Sequence, residues 1–117
     1  MDMSNGDGLN RDSILGLDDL PVVEVVVPEW GGSVWVRGMT GTERDAFEEK
    51  GIGAPLKDMR ARVAIATVCD HDGNLLFTDQ DLPALMRKSG KALDRILIAA
   101  APLSGLSKED IADLKKN

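Results

Sequence analysis

The densest group of potential metal ligands in this chain lies in residues 70–81, DHDGNLLFTDQD. Side-chain oxygens stand at positions one, three, five and twelve of this segment, which is the spacing of an EF-hand calcium loop. The sixth position of such a loop normally needs glycine, but here it is Leu75, and the twelfth is Asp81 instead of a longer glutamate. The same aspartates are also typical turn formers and helix caps. Calcium binding by a degenerate EF-hand-like domain is therefore kept only as an alternative, and no metal site is predicted.

Nucleophilic and acid–base catalysis have few candidate residues. His71 is the single histidine and lies in a polar turn, while Cys69 is the single cysteine and follows an apolar segment typical of a core helix. The glycine-rich fragments 5–8 and 51–53 do not follow strands and have no following lysine, so neither matches a phosphate-binding loop. The sequence predicts no catalytic residue and no cofactor-binding residue, and we expect a protein that is not an enzyme.

The composition excludes further classes. The chain has 117 residues, 43% of them hydrophobic, with a formal net charge of −6. This is typical of one small soluble domain, and the negative charge argues against binding to nucleic acid or to an anionic membrane surface. The longest apolar run, residues 96–101, is too short to span a membrane, and the first residues lack the pattern of a signal peptide. We expect no nucleic acid or membrane partner and a cytoplasmic location.

A β-hairpin is predicted for residues 22–38, because the runs VVEVVV and SVWVRG flank the turn sequence PEWGG. Strand alternation places one set of valines on a face that must pack against helices: Val23, Val25, Val27, Val34 and Val36. The opposite face is mixed and is expected to be the more exposed; it carries Val22, Glu24, Val26, Ser33, Trp35 and Arg37.

Helical patterns dominate the rest of the chain. Periodicity and capping signals predict helices at about 41–50, 57–69, 80–88, 91–102 and 108–115. Residues 1–10 contain almost nothing to bury and are expected to form a disordered leader. The sequence therefore predicts a single α+β domain over residues 11–117, with an N-terminal β-hairpin packed on a small bundle of four to five short helices.

Contact with another protein is the activity that the surface pattern favours. Tryptophan and arginine are enriched at binding hot spots, and both occur in the hairpin and its turn. Ile98 lies off the core stripe of its helix, so it either widens the buried face or contacts a partner. A second interpretation is that a helix or the N-terminal segment covers the mixed hairpin face. The candidate partner-binding residues are Val22, Val26, Trp30, Trp35, Arg37 and Ile98.

A series of short motifs follows in order over residues 11–114. They are a valine-rich strand, PEWGG, a V-x-V-R-G strand, a G/T-x-E-R-D helix start, the turn D-x-D-G-N-x-L-F and a final LSGLS-x-E-D helix. Each motif is weak alone, but in combination they are fairly specific. Together they resemble the tail assembly chaperones of long-tailed, siphovirus-like bacteriophages and prophages.

The resemblance implies a non-enzymatic protein in the cytoplasm of a bacterial host. Such a protein binds the long helical tape-measure protein, keeps it soluble, helps recruit tail-tube subunits and is absent from the mature virion. The resemblance also implies a longer form of this chain made by a −1 frameshift, and the end Lys115–Asn117 is compatible with a slippery heptamer.

A small acidic regulatory module is the other alternative. Residues 1–50 carry a net charge of −7, which would attract a basic partner. Binding of that kind is strongly salt-sensitive, whereas an apolar contact through Val26 and Trp35 would survive moderate salt.

Overall fold

The computed structural model of this chain describes residues 8–51 and 58–106. Residues 1–7 of the predicted leader and the predicted helix 108–115 lie outside the described residues, as does the end Lys115–Asn117. Within the described ranges, a three-stranded antiparallel sheet lies against a layer of helices, so the predicted α+β fold class is confirmed. None of the helices in these ranges is long and apolar enough to cross a membrane.

The elements follow one another in a simple order. They are α1 (Arg11–Leu15), β1 (Val22–Val27), a first 3₁₀ helix (Pro28–Trp30), β2 (Gly32–Arg37), α2 (Gly41–Gly51), α3 (Met59–Thr67), β3 (Val68–Cys69), a second 3₁₀ helix (Asp79–Asp81), α4 (Leu82–Leu85) and α5 (Gly90–Leu103). The sheet order is β1-β2-β3, so the hairpin strand β2 is central.

The hairpin register runs from Val22 opposite Arg37 to Val27 opposite Gly32. This register places the valine face against the helices, as the alternation predicts, and Val27 and Val36 on that face are fully buried. The inner face of the hairpin is therefore core, and only its outer face is left to act as surface.

The third strand is a feature that the sequence pattern did not reveal. The predicted helix 57–69 ends at Thr67, whose hydroxyl donates to a carbonyl oxygen of the preceding turn at 2.7 Å. Val68 is extended and pairs with β2 together with Cys69. Leu75 then forms an antiparallel bridge with Cys69, so the polar turn between them closes a small second hairpin. The helical pattern ends in the β-branched residues Thr67 and Val68, which are equally consistent with a strand. This ambiguity explains why the predicted helix 57–69 extends too far.

The predicted helix 80–88 is also shorter than expected. It starts as a 3₁₀ helix with a capping box, in which Asp81 accepts from the backbone N–H of Thr78 at 2.8 Å. Regular α-helix covers only α4, and residues 86–88 form turns. Because Ser89 already caps α5 through the backbone N–H of Ala92, α4 has no room to extend.

The core is centred on α5, which packs against α3 and against the inner face of the hairpin. The stripe expected from helical spacing, Leu93, Ile96, Leu97 and Ala100, is buried, and Ala92 and Ala101 are buried beside it. Ile96 is fully buried, whereas Ile98 points away from this stripe and is 73% exposed. Of the two possibilities for Ile98, the structure thus removes the one in which it widens the buried face.

The N-terminal helix α1 is held by local hydrogen bonds. The Asn10 side chain accepts from the backbone N–H of Ser13 at 2.8 Å, and the Ser13 hydroxyl accepts from the backbone N–H of Asn10 at 3.0 Å. Asn10, placed in the leader by the sequence, is thus the cap of a helix. No residue of α1 is buried, and its surroundings expose large apolar side chains, namely Leu9, Ile14, Leu15 and Leu17.

Gly38 lies where β2 leaves the sheet and touches the end of α5. A Cβ atom at this position would stand 2.5 Å from the carbonyl oxygen of Leu103, which is backbone and cannot simply turn away. We expect Gly38→Ala to lower the free energy of unfolding by about 1–3 kcal/mol, measured by urea denaturation. Gly32→Ala is the control, because a Cβ there meets nothing within 4 Å. Equal losses in both variants would contradict the steric explanation.

Candidate functional site

The charged end of the hairpin's outer face is buried in the fold. Arg37 is only 7% exposed, and its two terminal nitrogens donate to both carboxylate oxygens of Glu43 at 2.8 Å. Glu43 also accepts from the backbone N–H of Thr40 at 2.8 Å, as the capping glutamate of α2. Hydrogen bonding from Arg37 is the main reason that the pKa of Glu43 is held at about 2. The expectation that Arg37 lies on an exposed face is therefore wrong: it ties β2 to the start of α2.

The polar turn that follows β3 is organised by Asp70. Its carboxylate accepts from the backbone N–H groups of Asp72 at 2.9 Å and Asn74 at 3.0 Å, and the bond from Asn74 is the main cause of its lowered pKa. A Cβ at Gly73 would lie 3.7 Å from Val22, so the turn packs on one end of the hairpin's outer face. In the part of the chain that the structure describes, no group of three or more His, Cys, Asp or Glu residues is placed to hold a metal ion. The turn geometry is that of a strand connection, and it lends the calcium alternative no support.

Cys69 and His71 lie near each other in sequence but in different environments. Cys69 is 1% exposed, and burial raises the pKa of its thiol. His71 is exposed, with its ring Nε2 at 3.4 Å from the Asp72 carboxylate. A protonated thiol in the core is a poor nucleophile, so this pair does not form a catalytic site.

The other predicted binding residues do not form one continuous patch. Val26 is 64% exposed on the outer face of the hairpin, while Val22 and Trp35 on that face are half-buried. Ile98 lies on α5, which packs on the opposite, inner face of the hairpin. The structure therefore separates Ile98 from the hairpin residues with which the sequence grouped it.

A concave apolar surface lies beside Trp30, and we call it the Trp30 groove. It has a volume of about 330 Å³, at the low end of the range for ligand pockets. Its walls come from the first 3₁₀ helix, the segment after the polar turn, and α4 with its flanks; the lining residues are Trp30, Phe77, Asp81, Ala84, Leu85 and Lys88. The groove is apolar inside, with a carboxylate and an ammonium group among its lining residues.

Trp30 is held in place by the residue before it. Glu29 accepts two hydrogen bonds from Arg95 of α5, from Nε at 2.8 Å and from Nη2 at 3.0 Å. These bonds are the main reason that the pKa of Glu29 is lowered. Gly31 follows in the left-handed conformation, with a φ of 73°, and ends the 3₁₀ helix. The strand β2 begins at the next residue. The turn that carries Trp30 is thus linked to the core helix, while Trp30 itself remains 36% exposed.

A second groove lies between α2 and α3, and we call it the α2–α3 groove. Its volume is about 260 Å³ and its lining includes Ala46, Phe47 and Ile65, but also the polar Arg62 and Thr78. Phe77 lines both grooves, so they meet at this side chain. The second groove is the more polar of the two.

Sequence reasoning identified Trp30 but missed the other members of its groove. The sequence pattern leaves Phe77 between the predicted helices 57–69 and 80–88, and it assigns the residues of α4 to the longer predicted helix 80–88. A usable signal was present, because Leu75, Leu76 and Phe77 form an apolar run that is too short for a helix and follows a polar turn. Such a run needs a neighbouring surface, and Phe77 finds it against α4.

Taken together, the sheet, the helical layer and the grooves define a small α+β domain with a concave apolar surface. No protein-family model matches the chain, and a search of curated proteins also finds no match. Among solved structures, the chain is similar to the structure of the bacteriophage HK97 tail assembly chaperone, with a TM-score of 0.59 and 21% sequence identity. The similarity covers 83% of this chain and 95% of that chain. At this identity it establishes a shared fold, and the fold implied by the sequence resemblance is confirmed.

Proposed function

We propose that this protein is a tail assembly chaperone of a long-tailed bacteriophage or prophage, acting without enzymatic chemistry in the cytoplasm of the bacterial host. The observation that carries the proposal is the fold shared with the HK97 tail assembly chaperone over most of both chains. The ordered motifs over residues 11–114 support it independently, because they are features of the sequence and not of the fold.

The tape-measure protein is the client in this proposal. A long helical protein exposes apolar stripes until the tail tube encloses it, and exposed stripes of this kind promote aggregation. A small domain with an apolar groove covers such a stripe, and its net charge of −6 keeps the complex soluble. Tail-tube subunits and a frameshift-extended form of this chain are further proposed partners.

Co-expression tests the proposal directly. The protein is produced in a bacterial host together with the tape-measure protein encoded beside it, and the soluble fraction of the tape-measure protein is measured. We expect the tape-measure protein to be soluble and to co-purify with this chain, and to be insoluble when expressed alone. An unrelated acidic protein of similar size is the control for a general effect of co-expression. Insoluble tape-measure protein in both cases would contradict the proposal.

Salt dependence separates the proposal from the acidic regulatory module. Exposed charge pairs are largely screened at about 0.5 M salt, whereas burial of apolar surface is retained. We expect the complex to survive a wash at that salt concentration. Release of the tape-measure protein by the wash would favour recognition through charge.

A further inference from the structure

We infer that the Trp30 groove takes one amphipathic helix of the client, laid along α4 with its apolar side chains against Trp30 and Phe77. The identity of the client rests on the proposed function, but the choice of groove and the chemistry of its occupant rest on the contacts of this chain. The occupant is a helix of two or more turns with leucine-type side chains on one face.

The size and lining of the groove match that occupant. The segment from Asp81 to Lys88 lies along the groove and spans about 10–14 Å by helical rise, which is two to three turns of a partner helix. Between these ends the surface is built from aromatic rings and aliphatic side chains. A stripe of apolar residues at positions i, i+3 or i+4 and i+7 covers the same length.

The charges at the two ends specify the direction of the helix. Asp81 and Lys88 both line the groove; Asp81 directly precedes α4 and Lys88 follows it, so a carboxylate and an ammonium group flank the helix. A partner helix is favoured when its positive N-terminal end and a basic side chain lie near Asp81. Its C-terminal end and an acidic side chain then lie near Lys88. The charges therefore favour a partner helix that carries a basic side chain near its N-terminus, an apolar stripe along one face and an acidic side chain near its C-terminus.

Two other surfaces are less suitable for this occupant. The α2–α3 groove has Arg62 and Thr78 among its lining residues, so its surface is less apolar than that of the Trp30 groove. The outer face of the hairpin is partly covered at one end by the turn at Gly73. The Trp30 groove combines a concave apolar floor with a tryptophan that directly follows Glu29, whose two hydrogen bonds from Arg95 link this turn to α5.

Trp30 serves as its own reporter in the test. The chain has two tryptophans, so Trp35→Phe leaves the Trp30 indole as the single source of tryptophan fluorescence. The probe is a synthetic amphipathic peptide of about 18 residues, five helical turns, with leucines on one face, lysine near its start and glutamate near its end. We expect a saturable blue shift of the emission as the peptide removes water from the indole.

Two matched alanine-to-glutamate variants in the Trp35→Phe background locate the site. Ala84→Glu puts a charge in the Trp30 groove, and we expect binding to weaken by about tenfold or more. Ala46→Glu puts the same charge in the α2–α3 groove, and we expect no change in affinity. Both alanines are exposed on helices, and circular dichroism checks that each variant folds. Unchanged binding by Ala84→Glu, or a loss confined to Ala46→Glu, would overturn the inference.

Charge reversal provides a second variant that does not depend on Ala84. Lys88→Glu is expected to weaken binding of the original peptide and to restore it for a peptide that carries lysine near its end. Unchanged or stronger binding of the original peptide would show that the proposed direction of the helix is wrong.

The same variants separate this inference from the proposed function. If the tape-measure protein stays soluble with the Ala84→Glu variant, the groove assignment fails while the chaperone role stands. If the peptide shifts the Trp30 emission but the wild-type protein does not solubilise the tape-measure protein, the chaperone role fails while the groove assignment stands.

Discussion

Arg37→Ala is expected to lower the free energy of unfolding by about 3 kcal/mol, because it removes one partner of a largely buried ion pair. The Arg37 side chain is 9% exposed, and its guanidinium also donates to the backbone carbonyl of Gly38 at 2.9 Å. The substitution leaves the Glu43 carboxylate, 29% exposed, without its main partner and removes the link between β2 and α2. Urea denaturation at pH 7 measures the loss.

Two variants control this experiment. Arg95→Ala removes the Arg95–Glu29 pair, which has similar hydrogen-bond geometry but an arginine that is 37% exposed, against 9% for Arg37, and we expect a smaller loss of stability. The double variant Arg37→Met with Glu43→Gln leaves no unpaired charge and is expected to be more stable than Arg37→Ala. Equal losses from Arg37→Ala and Arg95→Ala would mean that burial does not decide the strength of this pair.

The same pair makes stability depend on pH. The pKa of Glu43 is lowered from 4.5 to about 2 in the folded chain, so the unfolded chain binds the proton more readily. The contribution of the pair is therefore complete above pH 4.5 and is lost as the pH falls from there towards 2. Glu43→Gln is expected to flatten this part of the stability curve. An unchanged acid dependence in that variant would show that other carboxylates are responsible.

Ile96→Ala is expected to cost about 3 kcal/mol, because it opens a cavity at the centre of the core. Ile96 is fully buried between α3 and the hairpin, and the surrounding side chains are held by the sheet and by α5 itself. The loss is measured as a shift in the urea midpoint at constant slope.

Ile98→Ala is the matched control, since it makes the same chemical change two residues further along the same helix. Ile98 is 73% exposed, and we expect its substitution to alter stability by less than about 0.5 kcal/mol. A large loss in Ile98→Ala would mean that α5 is stabilised by contacts on its outer side.

The hairpin and the two helices α2 and α5 were predictable because each carries a pattern that only one element satisfies. Alternating valines specify the buried hairpin face, the Thr40–Glu43 capping box starts α2, and the spacing of Leu93 and Ile96 specifies the α5 stripe. The short elements were not predictable in this way. Val68 and Cys69 continue an apolar pattern that serves helix and strand equally, and only their pairing with β2 decides between them.

The burial of Arg37 and the composition of the groove depend on long-range contacts. Alternation correctly placed Arg37 on the outer face, but the sequence did not show that α2 and the turn at Gly73 would cover that end. The Trp30 groove joins residues that are about 50 positions apart and belong to three different segments. Hydrophobic periodicity in the sequence predicts single helices and strands. It does not predict a surface that is formed by the ends of several elements.

The helix α1 has a consequence for how folding of this protein is followed. Its hydrogen bonds are local and none of its residues is buried, so opening this helix does not require the core to open. Its backbone amides are therefore expected to exchange with solvent deuterium far faster than those of α5. For the same reason, we expect trypsin to cleave after Arg11, whose side chain is 81% exposed, without prior unfolding of the domain. Protection of α1 from hydrogen exchange or from trypsin would consequently report the binding of a partner to this helix, and not the stability of the domain.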